Sequence, residues 1–94
     1  MNGEPRMNRE RVEVPDDVVW QGVDGQVIFL AGSHYYSLDP VGSQIWETLV
    51  ECEEVATAEE RLLAIFEVDR PTLHRDLVDL IAQLVSANLL RVTG

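Results

Sequence analysis

Three residues carry side chains suited to metal ligation or nucleophilic chemistry: His34, Cys52 and His74. A protein metal site needs three or four ligands from Cys, His and carboxylate. These three are far apart in sequence and show no CxxC or HExxH spacing. Cys52 lies in the run Glu51-Cys52-Glu53-Glu54. A catalytic thiol is activated by cationic neighbours, so Cys52 is expected to be inert. His34 and His74 read as surface residues at a strand start and in a first helical turn. No GxGxxG or GxxxxGK[ST] run offers a phosphate-cradling loop. Pairs of acids are abundant, but on so acidic a chain they read as solvated surface. No catalytic residue, metal site or cofactor is therefore expected, and the chemistry left is that of binding.

Charge narrows the partners. Seventeen acids stand against seven bases, all arginine, for a net charge of −10. Phosphate backbones and anionic membranes are bound through clustered Lys and Arg, so neither nucleic acid nor a membrane surface is an expected partner. No apolar run approaches the ~20 residues of a membrane span. Residues 1–11 are polar and lack the apolar core of a secretory signal. With a single cysteine, this places the protein in a reducing cytoplasm as an expectation.

These side chains must be positioned by a small fold. Ninety-four residues, 46% of them apolar, make one domain. Residues 1–13 read as a flexible N-terminal segment, and the folded domain is expected over 14–94. Val18-Val19-Trp20, Gln26–Leu30 and His34–Leu38 are three β-prone runs. They are separated by Asp24-Gly25 and Ala31-Gly32-Ser33, which are hairpin signals. Asp39-Pro40 combines an N-cap with the first helical position. The helix it opens places Val41, Ile45, Trp46 and Leu49 on one side and ends in 51–54. Thr57-Ala58-Glu59-Glu60 has the form of a capping box for a second helix, to about Val68, burying Leu62, Ile65 and Phe66. Asp69-Arg70-Pro71 opens a third helix that Asn88 can stop in a left-handed conformation. Leu89–Val92 is a tail able to pack back or pair as a strand. Trp20 and Trp46 are expected in the core.

The expected fold is α+β: a three-stranded antiparallel meander followed by three helices, winged helix-turn-helix-like. That arrangement often reads DNA, but the third helix carries two arginines and two aspartates, a net of zero. Residues 47–69 carry eight acids and one arginine, a net of −7. The third helix has an apolar stripe about 160° wide, against the ~100° needed to cover a sheet. The excess fits packing on helices 1 and 2 as well as the sheet, or an open groove lined by part of the stripe, and the two readings are compatible. The third strand, His34–Leu38, has no charged residue if His34 is neutral and no proline. It lacks the features that blunt a sheet edge and can accept an added strand.

Residues 35–90 resemble the PqqD-like RiPP recognition elements, which bind the leader peptides of ribosomally made, post-translationally modified peptides. The resemblance is carried by Tyr35-Tyr36-Ser37-Leu38-Asp39, by Val41-Gly42 with Ile45-Trp46 and Leu49, by Asp76-Leu77 with Leu80 and Leu84, and by Asn88-Leu89-Leu90. Asp39 stands where the family has Asn, and Asn88 where it has Gly. Glu51-Cys52-Glu53 replaces a common Asp-Gly after the first helix, so that turn is expected to differ. The resemblance implies a non-catalytic domain on which the leader lies as an added antiparallel strand along strand 3, in a groove closed by helix 3. It implies delivery of the leader to a leader peptidase or cyclase, with a lasso peptide pathway favoured over the quinone cofactor pathway.

On that basis the peptide-binding residues are His34, Tyr35, Tyr36, Ser37 and Leu38 on the strand, and Leu73, Asp76, Leu77, Leu80 and Leu84 on the helix. Successive strand residues alternate faces, so one of Tyr35 and Tyr36 should pack inward. Asp76 lies beside the leucine row and is suited to a basic or polar leader residue. The alternative from a different class is an acidic interaction subunit that docks a basic partner through residues 47–69.

Overall fold

Two tight turns fold residues 18–37 into an antiparallel meander. The structure, a computed structural model, describes residues 10–93. Its elements are β1 (Arg11–Glu13), β2 (Val18–Val23), β3 (Gln26–Ala31), β4 (His34–Ser37), α1 (Pro40–Cys52), α2 (Val55–Ile65), α3 (Arg70–Ser86) and β5 (Arg91–Thr93). At the β2–β3 turn Asp24 and Gly25 have φ of 52° and 80°, the two positive values that a type I′ hairpin requires. At the β3–β4 turn Gly32 supplies a φ of 62° at the first central position. The sheet order is β2-β3-β4.

Strand alternation divides this sheet into two faces. Val27 and Phe29 point inward and are buried, with Trp20 and Tyr36 packed at the margin of the same core. Trp46 of α1 is the centre of that core. Its ring meets Phe29 edge-on at 4.7 Å and Trp20 edge-on at 5.7 Å. Such pairs contribute about 0.5–1.5 kcal/mol each beyond their burial. The α+β expectation holds, with α1, α2 and α3 following the meander in the winged helix-turn-helix-like order.

The helix starts follow the capping logic in two cases. Asp39 accepts the Gly42 amide at 2.7 Å, and Pro40 opens α1. Asp69 accepts both the hydroxyl and the amide of Thr72, at 2.8 and 3.3 Å, and Pro71 lies in the first turn of α3. Those bonds, the hydroxyl's foremost, hold the Asp69 carboxyl below its ordinary value. The third case differs. α2 begins at Val55 with Glu54 as an uncapped N-cap residue, and the Thr57 hydroxyl donates to the Glu54 side chain at 3.0 Å. The expected capping box does not form, because Thr57 already lies inside the helix. The helix also stops at Ile65, and Ile65 is exposed.

The N-terminal end departs from expectation, while the C-terminal tail pairs as a strand, as it was able to. Arg11–Glu13 is a strand, and it pairs antiparallel with Arg91–Thr93 in a second, two-stranded sheet. The expectation of a flexible segment over residues 1–13 thus fails at 11–13, which form a strand; residues 1–9 lie outside the described residues. β1 is also tied to the α1–α2 corner. The Val12 amide donates to the Glu53 carbonyl at 2.8 Å, the Val55 amide to the Glu10 carbonyl at 3.0 Å, and Arg11 pairs with Glu53 at 2.8 Å. At this corner Glu53 takes a φ of 67°, the left-handed conformation a glycine there would adopt freely. Asn88 takes a φ of 61° as α3 ends, and Leu89 and Leu90 turn back into the core. No helix among the described residues is long and apolar enough to cross a membrane.

Candidate functional site

The phase of the β3–β4 ladder decides what β4 offers. The Leu38 amide donates to the Val27 carbonyl at 2.9 Å, directly across the two strands. Hydrogen-bonded pairs alternate along an antiparallel ladder. From the observed register, Tyr36 with Phe29 and His34 with Ala31 are then the other bonded pairs. The backbone N–H and C=O groups of Tyr35 and Ser37 accordingly point away from β3. β4 has no second neighbour among the described residues, so these groups form an open hydrogen-bonding edge.

Next to the end of that edge lies a groove of about 400 Å³ between the start of α1 and one flank of α3. Leu38, Val41, Ile45 and Leu80 supply its apolar lining, and Asp39, Asp76 and Asp79 supply its carboxylates. The junction is held by Ser43, which is buried. Its hydroxyl accepts the Val27 amide at 2.7 Å and donates to the Leu38 carbonyl at 3.2 Å. Gly42 sits at the closest approach: a Cβ there would lie 3.1 Å from the Asp39 carboxylate that caps the helix. Among the described residues no arginine lines the groove, and its three carboxylates make the field there negative.

The rotation of α3 explains which residues meet the groove. Leu73, Leu77 and Leu84 are 2%, 0% and 3% exposed and belong to the core. They do not form the groove wall expected of them. Leu80 lies about 20° to one side of Leu73 on the helical wheel. Asp76, Gln83 and Asp79 follow on that side, at about 60°, 80° and 120°. Those four are the α3 residues of the groove. The opposite flank, with Val78 and Ile81, faces α2 and β5 instead, where it lines a larger cavity of about 490 Å³ with Glu59, Arg70 and His74. The extra width of the apolar stripe therefore belongs to the flank away from β4. The open edge, which a cavity volume does not register, makes the smaller groove the candidate site.

The expected strand residues divide by face. Ser37 and Leu38 line the groove. Tyr36 packs inward, and its ring stacks on that of His34 at 6.2 Å. Tyr35 points out on the far face of the sheet and is exposed. Sequence reasoning missed Val41, Ile45, Asp79 and Gln83 as lining residues. Val41 and Ile45 have helical spacing with Trp46 and Leu49, which reads as core. The one available signal was that Val41 falls in the first turn of α1, just after the Asp39 cap that ends the strand segment.

The acidic stretch 47–69 is largely committed to local pairs. Glu51 meets Arg61 at 2.8 Å, Glu53 and Glu54 meet Arg11, and Glu59 and Glu60 meet Arg70 at 3.2 and 2.9 Å. His74 adds a 2.8 Å contact to Glu59.

Comparison with known proteins follows this geometry. The family model for coenzyme PQQ synthesis protein D (PqqD) matches residues 23–90. No curated protein matches the sequence. One similar solved structure, described as TbiB1 in complex with the TbiA(beta) leader peptide, is 36% identical and has a TM-score of 0.78, covering 84% of this chain and 94% of that one. Another, described as lasso peptide synthetase B1 complexed with the leader peptide, is 19% identical with a TM-score of 0.76, covering 86% and 98%, and speaks to the fold. The matched region runs from the end of β2 to the buried Leu90, across the open edge, the groove and α3, and the chain belongs to the PqqD family.

Proposed function

We propose that this protein recognises the leader peptide of a ribosomally made precursor, in a pathway of the lasso peptide type. The leader adds as an antiparallel strand to β4. Its backbone bonds to the outward N–H and C=O groups of Tyr35 and Ser37, and its side chains enter the groove lined by Leu38, Val41, Ile45 and Leu80. Main-chain bonds then supply affinity, and the pockets for alternate side chains supply specificity. Asp76 and Asp79 favour a basic or polar leader residue at the rim. The protein itself performs no bond chemistry and delivers the leader, in the cytoplasm, to a peptidase or cyclase of the same pathway. The observation that carries this reading is the juxtaposition of an unpaired strand edge with an apolar groove in a member of the PqqD family.

The test is binding of a fluorescent leader peptide, taken from the precursor of the same pathway, to the full chain. Micromolar or tighter binding is expected, with the peptide mass unchanged on long incubation. Absence of binding would overturn the reading, and so would cleavage of the peptide.

A further inference from the structure

The outer face of the meander carries a continuous apolar row that the fold does not use. Val19 stands directly opposite Leu30, and Leu30 directly opposite Tyr35. The three are 62%, 53% and 65% exposed. Directly opposed residues share a face with their Cβ atoms about 5 Å apart, so the row crosses all three strands. It ends on Tyr35, whose backbone belongs to the open edge. Asp16 and Asp17, both exposed, directly precede β2 and stand at the Val19 end of the row.

We infer that this row is the docking surface for the enzyme that acts on the bound precursor, and that a leader strand on β4 completes it. The inference rests on the strand-addition reading above. Three side chains make a patch well short of the ~800 Å² per partner of a standard interface. A leader strand lengthens the sheet by about 4.8 Å and places its own outward side chain beside Tyr35. The patch is then continuous across four strands, the fourth of them the substrate's. An enzyme surface with an apolar centre and Lys or Arg at its rim fits both the row and the aspartates. Such an enzyme binds the loaded protein more tightly than the empty one. By linkage it tightens leader binding by the same factor.

The test uses the full chain, the leader peptide and the purified enzyme that processes the same precursor. Enzyme affinity is measured with and without saturating leader, for the wild type and for V19T/L30T. Threonine keeps the strand propensity of these exposed positions, and neither residue faces the leader edge. Expected are a gain of about tenfold or more in enzyme affinity when leader is present, loss of that gain in V19T/L30T, and leader affinity in the variant within twofold of wild type. Weakening by added salt is expected as well. An unchanged gain in the variant, with leader binding intact, would overturn this inference and leave the leader reading standing. Failure of the wild type to bind leader would overturn both. A dimer of the empty protein that the double substitution dissolves, without effect on the enzyme, would assign the row to a second copy and overturn the inference.

Discussion

The Leu38 amide is bonded to the Val27 carbonyl at 2.9 Å, and this bond sets the phase of the strand that precedes Leu38. It turns the backbone of Tyr36 toward β3 and the backbone of Tyr35 and Ser37 toward the open edge. Two adjacent residues therefore have opposite backbone roles, and they can be separated by substitution.

Proline at these positions should show that difference. Ser37→Pro removes an outward N–H that has no partner among the described residues, a position where sheets tolerate proline. The variant is expected to fold and to lose leader binding by tenfold or more. Tyr36→Pro removes a ladder bond and an inward-packed ring, and is expected to unfold most of the chain. Circular dichroism with leader titration reads both.

Ser43 joins the sheet to α1 at the end of the groove. Ser43→Ala leaves the buried Val27 amide without its acceptor, which costs about 1–3 kcal/mol. Urea unfolding is expected to show that loss. Leader binding by the remaining folded protein is expected to weaken too, since the Leu38 carbonyl loses a tether.

Leu77 and Leu80 are three residues apart on α3 but face different surroundings. Leu77→Ala opens a cavity in the core and is expected to cost about 2–5 kcal/mol of stability. Leu80→Ala trims a half-exposed side chain, so the stability cost is expected to be smaller. Leader affinity should respond more strongly to Leu80→Ala. Paired urea unfolding and calorimetric titration check the crossover.

Asp69 makes a pH-dependent contribution. Its folded carboxyl titrates below the ordinary value of 3.8, chiefly because the Thr72 hydroxyl donates to it and the Thr72 amide adds to this. A lowered folded value means stability that is present above the unfolded value and lost as pH falls through the folded one. Asp69→Asn keeps a capping oxygen but removes the titration. The gap in melting temperature between wild type and this variant is expected to be flat from neutral pH to about 5 and to close below about 4.

Much of the fold could be read locally. Asp24-Gly25 and Gly32 marked the turns, and Asp39-Pro40 and Asp69-Arg70-Pro71 marked two helix starts, because each needs only its own backbone geometry. The β1–β5 pairing could not be read that way. It joins Arg11 to Thr93, and no local pattern encodes a partner so distant in sequence. The capping box failed on competition, since the α2 backbone starts two residues earlier and leaves Thr57 nothing to cap. For the site, the strand and the leucine row were visible, but the rotation of α3 was not. A wheel gives the stripe, and the way α3 packs into the core chooses which edge of it stays open. That choice brought Leu80 with Asp76 and Asp79 to the groove and buried Leu73, Leu77 and Leu84.

Amide hydrogen exchange by NMR on the labelled full chain, with and without the leader peptide, tests the central claim most directly. The account predicts that the Tyr35 and Ser37 amides are unprotected in the free protein and become protected on binding, while the Tyr36 and Leu38 amides are protected in both. Protection that appears only in α2 and the neighbouring acidic stretch, with Tyr35 and Ser37 still exchanging freely, would contradict it.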